Sequence, residues 1–156
     1  MKRGFWLLLL VLGVVSAQAG QEKVYLLATA GLTDTSVAQS IFLHEPDITD
    51  LAGCQEAVRQ GQRHRDWQQY HHILRNDKAQ GFSLQMQYQC VIGAQQVEPW
   101  FDRARYRYTY LIKVDKQSKL AVQSMDSMAS CFAKRRALPA LEQERSHCSK
   151  GNQRVR

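Results

Sequence analysis

The clearest pattern in the chain lies at residues 82–92. There Phe82, Leu84, Met86, Tyr88, Cys90 and Ile92 alternate with Ser83, Gln85, Gln87, Gln89 and Val91. A period of two sends the sets to opposite faces, so the segment predicts a half-buried strand with one wet face. Residues 103–114 alternate again, with Tyr106, Tyr108, Tyr110, Ile112 and Val114 set against Arg105, Arg107, Thr109, Leu111 and Lys113. The turn-forming run Asp115-Lys116-Gln117-Ser118 then returns the chain through Leu120 and Val122 as a hairpin. Together these three strands read as a meander. Upstream, Val24–Ala30 is a short apolar run with β-branched and aromatic members, and Ser40–Leu43 is a second; both predict short strands.

Helical spacing appears elsewhere. Ile48, Leu51, Cys54 or Gln55, and Val58 recur on one face over residues 48–60, with Asp47 placed to cap the helix and Asp50 at its third position. Cys54 therefore falls on the buried stripe, and Gly61 ends or interrupts the helix. Trp67, Tyr70 and Leu74 suggest another helix over Arg63–Arg75. Asp126 or Ser127 caps a last helix that carries Met128, Cys131 and Phe132, and Pro139 stops or restarts it. No internal repeat is visible at this level.

Strands in runs, with a few helices between them, predict an α+β domain. The expected architecture is a small antiparallel sheet of about four to five strands with a central meander, two to three helices packed on one face, and two disulfides. Residues 1–19 are set apart by Met1-Lys2-Arg3, the apolar run Phe5–Val15 and the Ala-x-Ala end at Ala17–Ala19. That is the form of a secretory signal peptide, too short for a comfortable membrane span. The boundaries expected are a signal peptide at 1–19, one domain at 20–148 and a polar, basic, frayed tail at 149–156. A periplasmic or secreted location follows from cleavage after Ala19.

Four cysteines in an exported chain predict a disulfide framework rather than a reactive thiol. No two are spaced as a CxxC, which removes paired zinc knuckles and thioredoxin-like redox chemistry. Pairing neighbours gives Cys54–Cys90, a helix tied to a strand, and Cys131–Cys148. The formal charge of +7 changes the picture less than it first suggests. From Lys134 onward seven basic residues face Glu142 and Glu144, which is +5 and equals the whole net charge left after Lys2 and Arg3 depart. Nucleic-acid binding by the folded body is thereby disfavoured, and contact with an anionic lipid or polymer is confined to the C-terminal segment.

No residue set converges on a reaction. There is no Gly-x-Ser-x-Gly and no Gly-rich phosphate loop. His64 and His71 stand two helical turns apart, too far for one metal ion, so no metal or cofactor is expected. His44 or His71 with Arg105 or Lys113 forms a nuclease only if the fold gathers them. The loop Glu98-Pro99-Trp100-Phe101-Asp102 stands out, because Trp100 and Phe101 are costly to leave in water and are flanked by Arg103 and Arg105, residue types that interfaces favour. The reading is a small exported binding or interaction protein, such as an inhibitor, an immunity-type protein or an envelope accessory protein, with another periplasmic protein as partner through Trp100, Phe101, Arg103 and Arg105. The alternatives are a small histidine-using hydrolase and a binder of anionic lipid or polymer.

Overall fold

The computed structural model describes residues 21–33, 35–64, 84–100 and 105–156. Six strands and three helices follow in the order β1 (Lys23–Leu32), β2 (Ala38–Leu43), α1 (Leu51–His64), β3 (Leu84–Gly93), β4 (Tyr108–Val114), β5 (Leu120–Met125), α2 (Met128–Arg136), α3 (Ala140–Glu144) and β6 (Ser146–Gly151). The α+β class stands, but the sheet has six strands in the order β3-β1-β2-β6-β4-β5. It is mixed rather than antiparallel, because β2 and β6 run parallel. The meander is corrected as well: β3 pairs with β1, while β4 lies between β5 and β6. Alternation determines which side chains share a face, but it carries no information about which strand lies alongside.

Among the described residues the order of elements is ββαβ and then ββααβ, the same unit repeated with the short helix α3 added in the second. In the first unit β1 lies between β2 and β3, and Cys54 of α1 bridges to Cys90 of β3. In the second β4 lies between β5 and β6, and Cys131 of α2 bridges to Cys148 of β6. Both expected disulfides are therefore formed. The registers match. Leu26 stands opposite Leu43 and Cys90, and Leu111 stands opposite Gln123 and Cys148. The helices start alike too. Asp50 Oδ1 accepts the Gly53 N–H at 2.7 Å, and Ser127 Oγ accepts the Ser130 N–H at 3.1 Å, so in each unit a capping residue four positions before the cysteine satisfies a first-turn donor. The first cap is thus Asp50 and not Asp47, and Gly61 lies within α1, buried, instead of ending it.

The two units close on one another. At one seam Gln39 of β2 pairs in parallel with Lys150 of β6. At the other, Lys119 beside β5 pairs in parallel with Ile92 of β3, so the edges of the sheet meet at this end and it curls into a barrel. Counting from the matched cysteines and leucines, Gln39 corresponds to Lys119 and Lys150 to Ile92, so the two seams are the same seam repeated. Each seam is extended by a glutamine. Gln153 Oε1 accepts the Phe42 N–H at 2.7 Å while its Nε2 donates to Phe42 O at 2.8 Å. Gln95 does the same to Val122, at 2.7 and 2.9 Å. A carboxamide held this way replaces one residue of a β-ladder. Tyr25 Oη donates to Gln95 O at 3.2 Å and Tyr110 Oη to Gln153 O at 2.8 Å, so the tyrosines are duplicated as well. Beyond the glutamines, Val97 and Val155 form an antiparallel bridge that caps this end of the barrel.

Seen this way, the sequence does hold a repeat: Cys90–Val97 and Cys148–Val155 both read C-x-x-G-x-Q-x-V. The expectation of no internal repeat is corrected, as is that of a frayed tail, since Asn152 and Gln153 are buried. At the second copy the glycine answers a close approach, which the first shows only as ordinary contact. A Cβ on Gly151 would sit 3.0 Å from Tyr110 Cε2, and one on Gly93 would sit 3.4 Å from Leu120 Cβ.

Inside the barrel, Tyr25, Leu27, Phe42 and Val91 of the first unit pack against Tyr110, Ile112, Val114, Leu120 and Val122 of the second. Outside, α1 covers Val24, Leu26 and Cys90, and α2 covers Leu111 and Cys148 at the corresponding positions. All this apolar area leaving water is the main stabilising contribution. Among the described residues no helix is long and apolar enough to cross a membrane. Residues 1–20, with the expected signal peptide, and the expected helix over Arg63–Arg75 beyond residue 64, lie outside the described residues.

Candidate functional site: an unequal wall at the open end of the barrel

The barrel is capped at the end of the C-x-x-G-x-Q-x-V segments and open at the end of the two hairpin turns. A cavity of about 720 Å³ occupies the open end. Its walls come from the β1–β2 turn, from the start of β3 and from the α3–β6 junction. The wet face expected of β3 lines it: Gln85, Gln87 and Gln89 are exposed there, opposite Gly31, Thr29 and Leu27 of β1.

Beneath this cavity, which Thr29, Val114 and His147 line, the two units stop being equivalent. Val114, Leu120 and Val91 make one seam apolar. Their counterparts at the other seam, by the registers above, are Thr29, Ser40 and Ser149. All three are buried, at 9%, 1% and 0% exposure. Buried hydroxyls are tolerated because they bond to each other. Ser40 Oγ lies 2.7 Å from Ser149 Oγ and 2.9 Å from Thr29 Oγ1. His147, whose counterpart is Gln89, turns Nε2 to within 3.4 Å of both Thr29 Oγ1 and Ser40 Oγ.

His147 is neutral at physiological pH. Burial pushes its pKa from 6.5 down to about 4, and the nearby Arg135 guanidinium adds to the effect. Arg135 itself is fixed, with Nε donating to Ser146 O at 2.8 Å and an Nη to Gln143 O at 2.7 Å. The other charges on the cavity are Arg145, Asp115 and Glu144, so two cations face two anions. Asp115 is engaged in its own turn, accepting the Gln117 and Lys119 N–H groups at 2.8 Å.

The residues singled out from sequence are placed elsewhere. Trp100 is half-buried, packed with Tyr106 on Ala28, Ala30 and Ile41 on the outer face of the sheet. Arg105 is exposed near it in sequence, while Phe101 and Arg103 lie outside the described residues. Among the described residues His44 and Lys113 are engaged elsewhere. His44 Nδ1 bonds Val24 O at 2.9 Å, Lys113 pairs with Glu142 at 3.3 Å, and His71 lies outside the described residues. Among the described residues no three His, Cys, Asp or Glu side chains group to hold a metal ion. The basic C-terminal segment is dispersed: Arg135 is pinned beside the cavity, Lys150 donates to Thr109 Oγ1 at 2.7 Å, and Arg154 and Arg156 reach the capped end.

Sequence reasoning missed β6, and with it His147 and Ser149. The signal was present in the second C-x-x-G-x-Q-x-V, whose first copy sits at the end of an obvious strand. No protein-family model, no curated protein and no solved structure matches the chain.

Proposed function

We propose that the protein is an exported, disulfide-stapled binding protein that receives a small ligand in the open end of its barrel. One observation carries this reading. The two units repeat their tyrosines, glutamines, glycines, caps and disulfides, and depart from each other inside the barrel, at Thr29 and His147 on the cavity wall and at Ser40 and Ser149 directly beneath it. Thr29, Ser40, His147 and Ser149 are not needed to build a ββαβ unit, because the other unit builds the same seam from Val114, Leu120, Gln89 and Val91. Concave sites with a few convergent polar groups on a largely apolar frame are where small molecules bind. Nuclear magnetic resonance of the oxidised mature chain with mixtures of small metabolites tests this. Amide shifts centred on Thr29, Ser40, Gln87 and His147 are expected. Shifts confined to the outer face, around Trp100 and Arg105, would instead favour the protein-partner reading, and none anywhere would remove the ligand site.

A hydrolase built on Ser40 and His147 is less well supported. Ser40 is 1% exposed and its hydroxyl is already held by Ser149 and Thr29, so a substrate carbonyl has no path to it. A second reading has its own observation, at the capped end. Arg154 and Arg107 converge on the Tyr108 hydroxyl and hold it below the ordinary phenol range, with the Arg107 guanidinium 5.0 Å from the ring centroid. Arg107, Arg154 and Arg156 are exposed there, with Glu98 bridging Arg156 at 3.9 Å. Such a surface suits an anionic lipid or polymer. Binding to phosphatidylglycerol vesicles that weakens with salt and with Arg107→Ala plus Arg154→Ala would support it. Salt-independent binding would not.

A further inference from the structure

Resting on the ligand-site reading above, we infer that the ligand is a neutral carbohydrate. The cavity combines two chemistries. Its uncharged polar lining is made of hydroxyls and carboxamides, among them those of Thr29, Thr35, Gln85, Gln87 and Gln89. Each of these can donate and accept, as the hydroxyls of a sugar do. Between them Leu27, Val114 and Phe132 present apolar surface, suited to the C–H faces of a pyranose ring. The Gln side chains project from alternate residues of one strand, about 7 Å apart, which spaces donors and acceptors along a ligand larger than a single functional group.

Charged ligands fit less well. A buried ionic group needs an ionic or densely hydrogen-bonding partner. The deep residues are uncharged. Of the rim ions, Arg135 is committed to two backbone carbonyls and Asp115 to two backbone N–H groups. Arg145 and Glu144 are exposed and opposite in sign. A purely apolar ligand would leave Thr29 and His147 covered by groups that cannot bond them.

The test is a titration of the full oxidised chain, by calorimetry and by amide shifts, with glucose, N-acetylglucosamine and short neutral oligomers of each. Inorganic phosphate, acetate and decanoate serve as comparators. The expected result is saturable binding of a neutral sugar, insensitive to added salt, with shifts at Thr29, Gln87 and His147. Gln87→Leu, an exposed change that leaves the core intact, should weaken it about tenfold. Binding of phosphate or decanoate at those same amides with no sugar bound would overturn the carbohydrate inference and leave the ligand site standing. No shift with any probe would overturn both. Sugar binding unchanged by Gln87→Leu and shifting only outer-face amides would overturn the placement.

Discussion

The two ββαβ units have one skeleton and two interiors. What they share is what closing the barrel requires: a tyrosine on the first strand, a capped helix with a cysteine in its first turn, and a C-x-x-G-x-Q-x-V segment ending the third strand. What they do not share lies beneath the cavity at the open end, where one seam is Val114, Leu120 and Val91 and the other is Thr29, Ser40 and Ser149. A feature present in both halves is explained by the fold. A feature present in one half, buried, and polar needs a reason other than the fold, because the other half shows an apolar solution to the same packing problem.

The comparison can be broken in graded steps. The largest effect expected is from the disulfides. Cys54–Cys90 closes 36 residues and Cys131–Cys148 closes 17. Loop entropy then makes removal of the first cost roughly 4 kcal/mol and of the second roughly 3 kcal/mol, as paired Cys→Ala variants in urea would show. Equal costs would indicate that the two bridges do not act through the unfolded chain.

Next come the glutamine brackets. Gln153 is buried, bonds both backbone groups of Phe42 and also donates to Glu98 O at 2.8 Å. Gln153→Ala leaves those groups unsatisfied in the core and should cost about 3 kcal/mol. Gln95→Ala breaks two half-buried bonds to Val122 and should cost about 1–2 kcal/mol. The order of the two midpoints checks the assignment of these residues as equivalent brackets in unequal surroundings.

The smaller effect is a pH dependence that only one half has. His147 titrates at 6.5 when unfolded and about 4 when folded. Above pH 6.5 it is neutral in both states and its contribution is complete. As pH falls toward 4 the unfolded chain takes up the proton first, so stability drops through that window and levels off below it. By pH 5 the loss is about 2 kcal/mol. His147→Gln, which copies its counterpart Gln89, should remove that slope from the difference between the two unfolding curves. A slope that persists in the variant would assign it to another group.

Much of the frame was legible in the sequence, and for physical reasons. Five of the six strands carry alternation or an apolar run. The cysteines pair as neighbours because each helix lies on the strand that follows it. The sixth strand, Ser-His-Cys-Ser-Lys-Gly, has little apolar content to announce it. Its inward residues His147 and Ser149 are polar and bond to Ser40 instead of packing as apolar side chains, so the network that sets this seam apart also hid the segment as a strand. Of the strand partnerships foreseen, the β4–β5 hairpin is formed, while the pairing of β3 with β4 is not. The parallel seams depend on Gln95 and Gln153 reaching across the barrel, contacts between residues 27 and 111 positions apart. Trp100 drew attention as an aromatic in a loop, yet it is half-buried on Ala28, Ala30 and Ile41, a cover for the small-residue stretch of β1 that neither helix reaches.

The central claim is that the polar wall serves binding and not folding. It is tested most directly by urea unfolding and ligand titration of one variant, Thr29→Val with Ser40→Ala and Ser149→Ala, which makes the polar seam resemble its apolar counterpart. Removing all three hydroxyls together leaves no orphaned partner among them. The account predicts an unfolding midpoint equal to or above that of the natural chain, together with loss of the amide shifts that a ligand produces at the open end. A variant that loses stability and binds as before would contradict it.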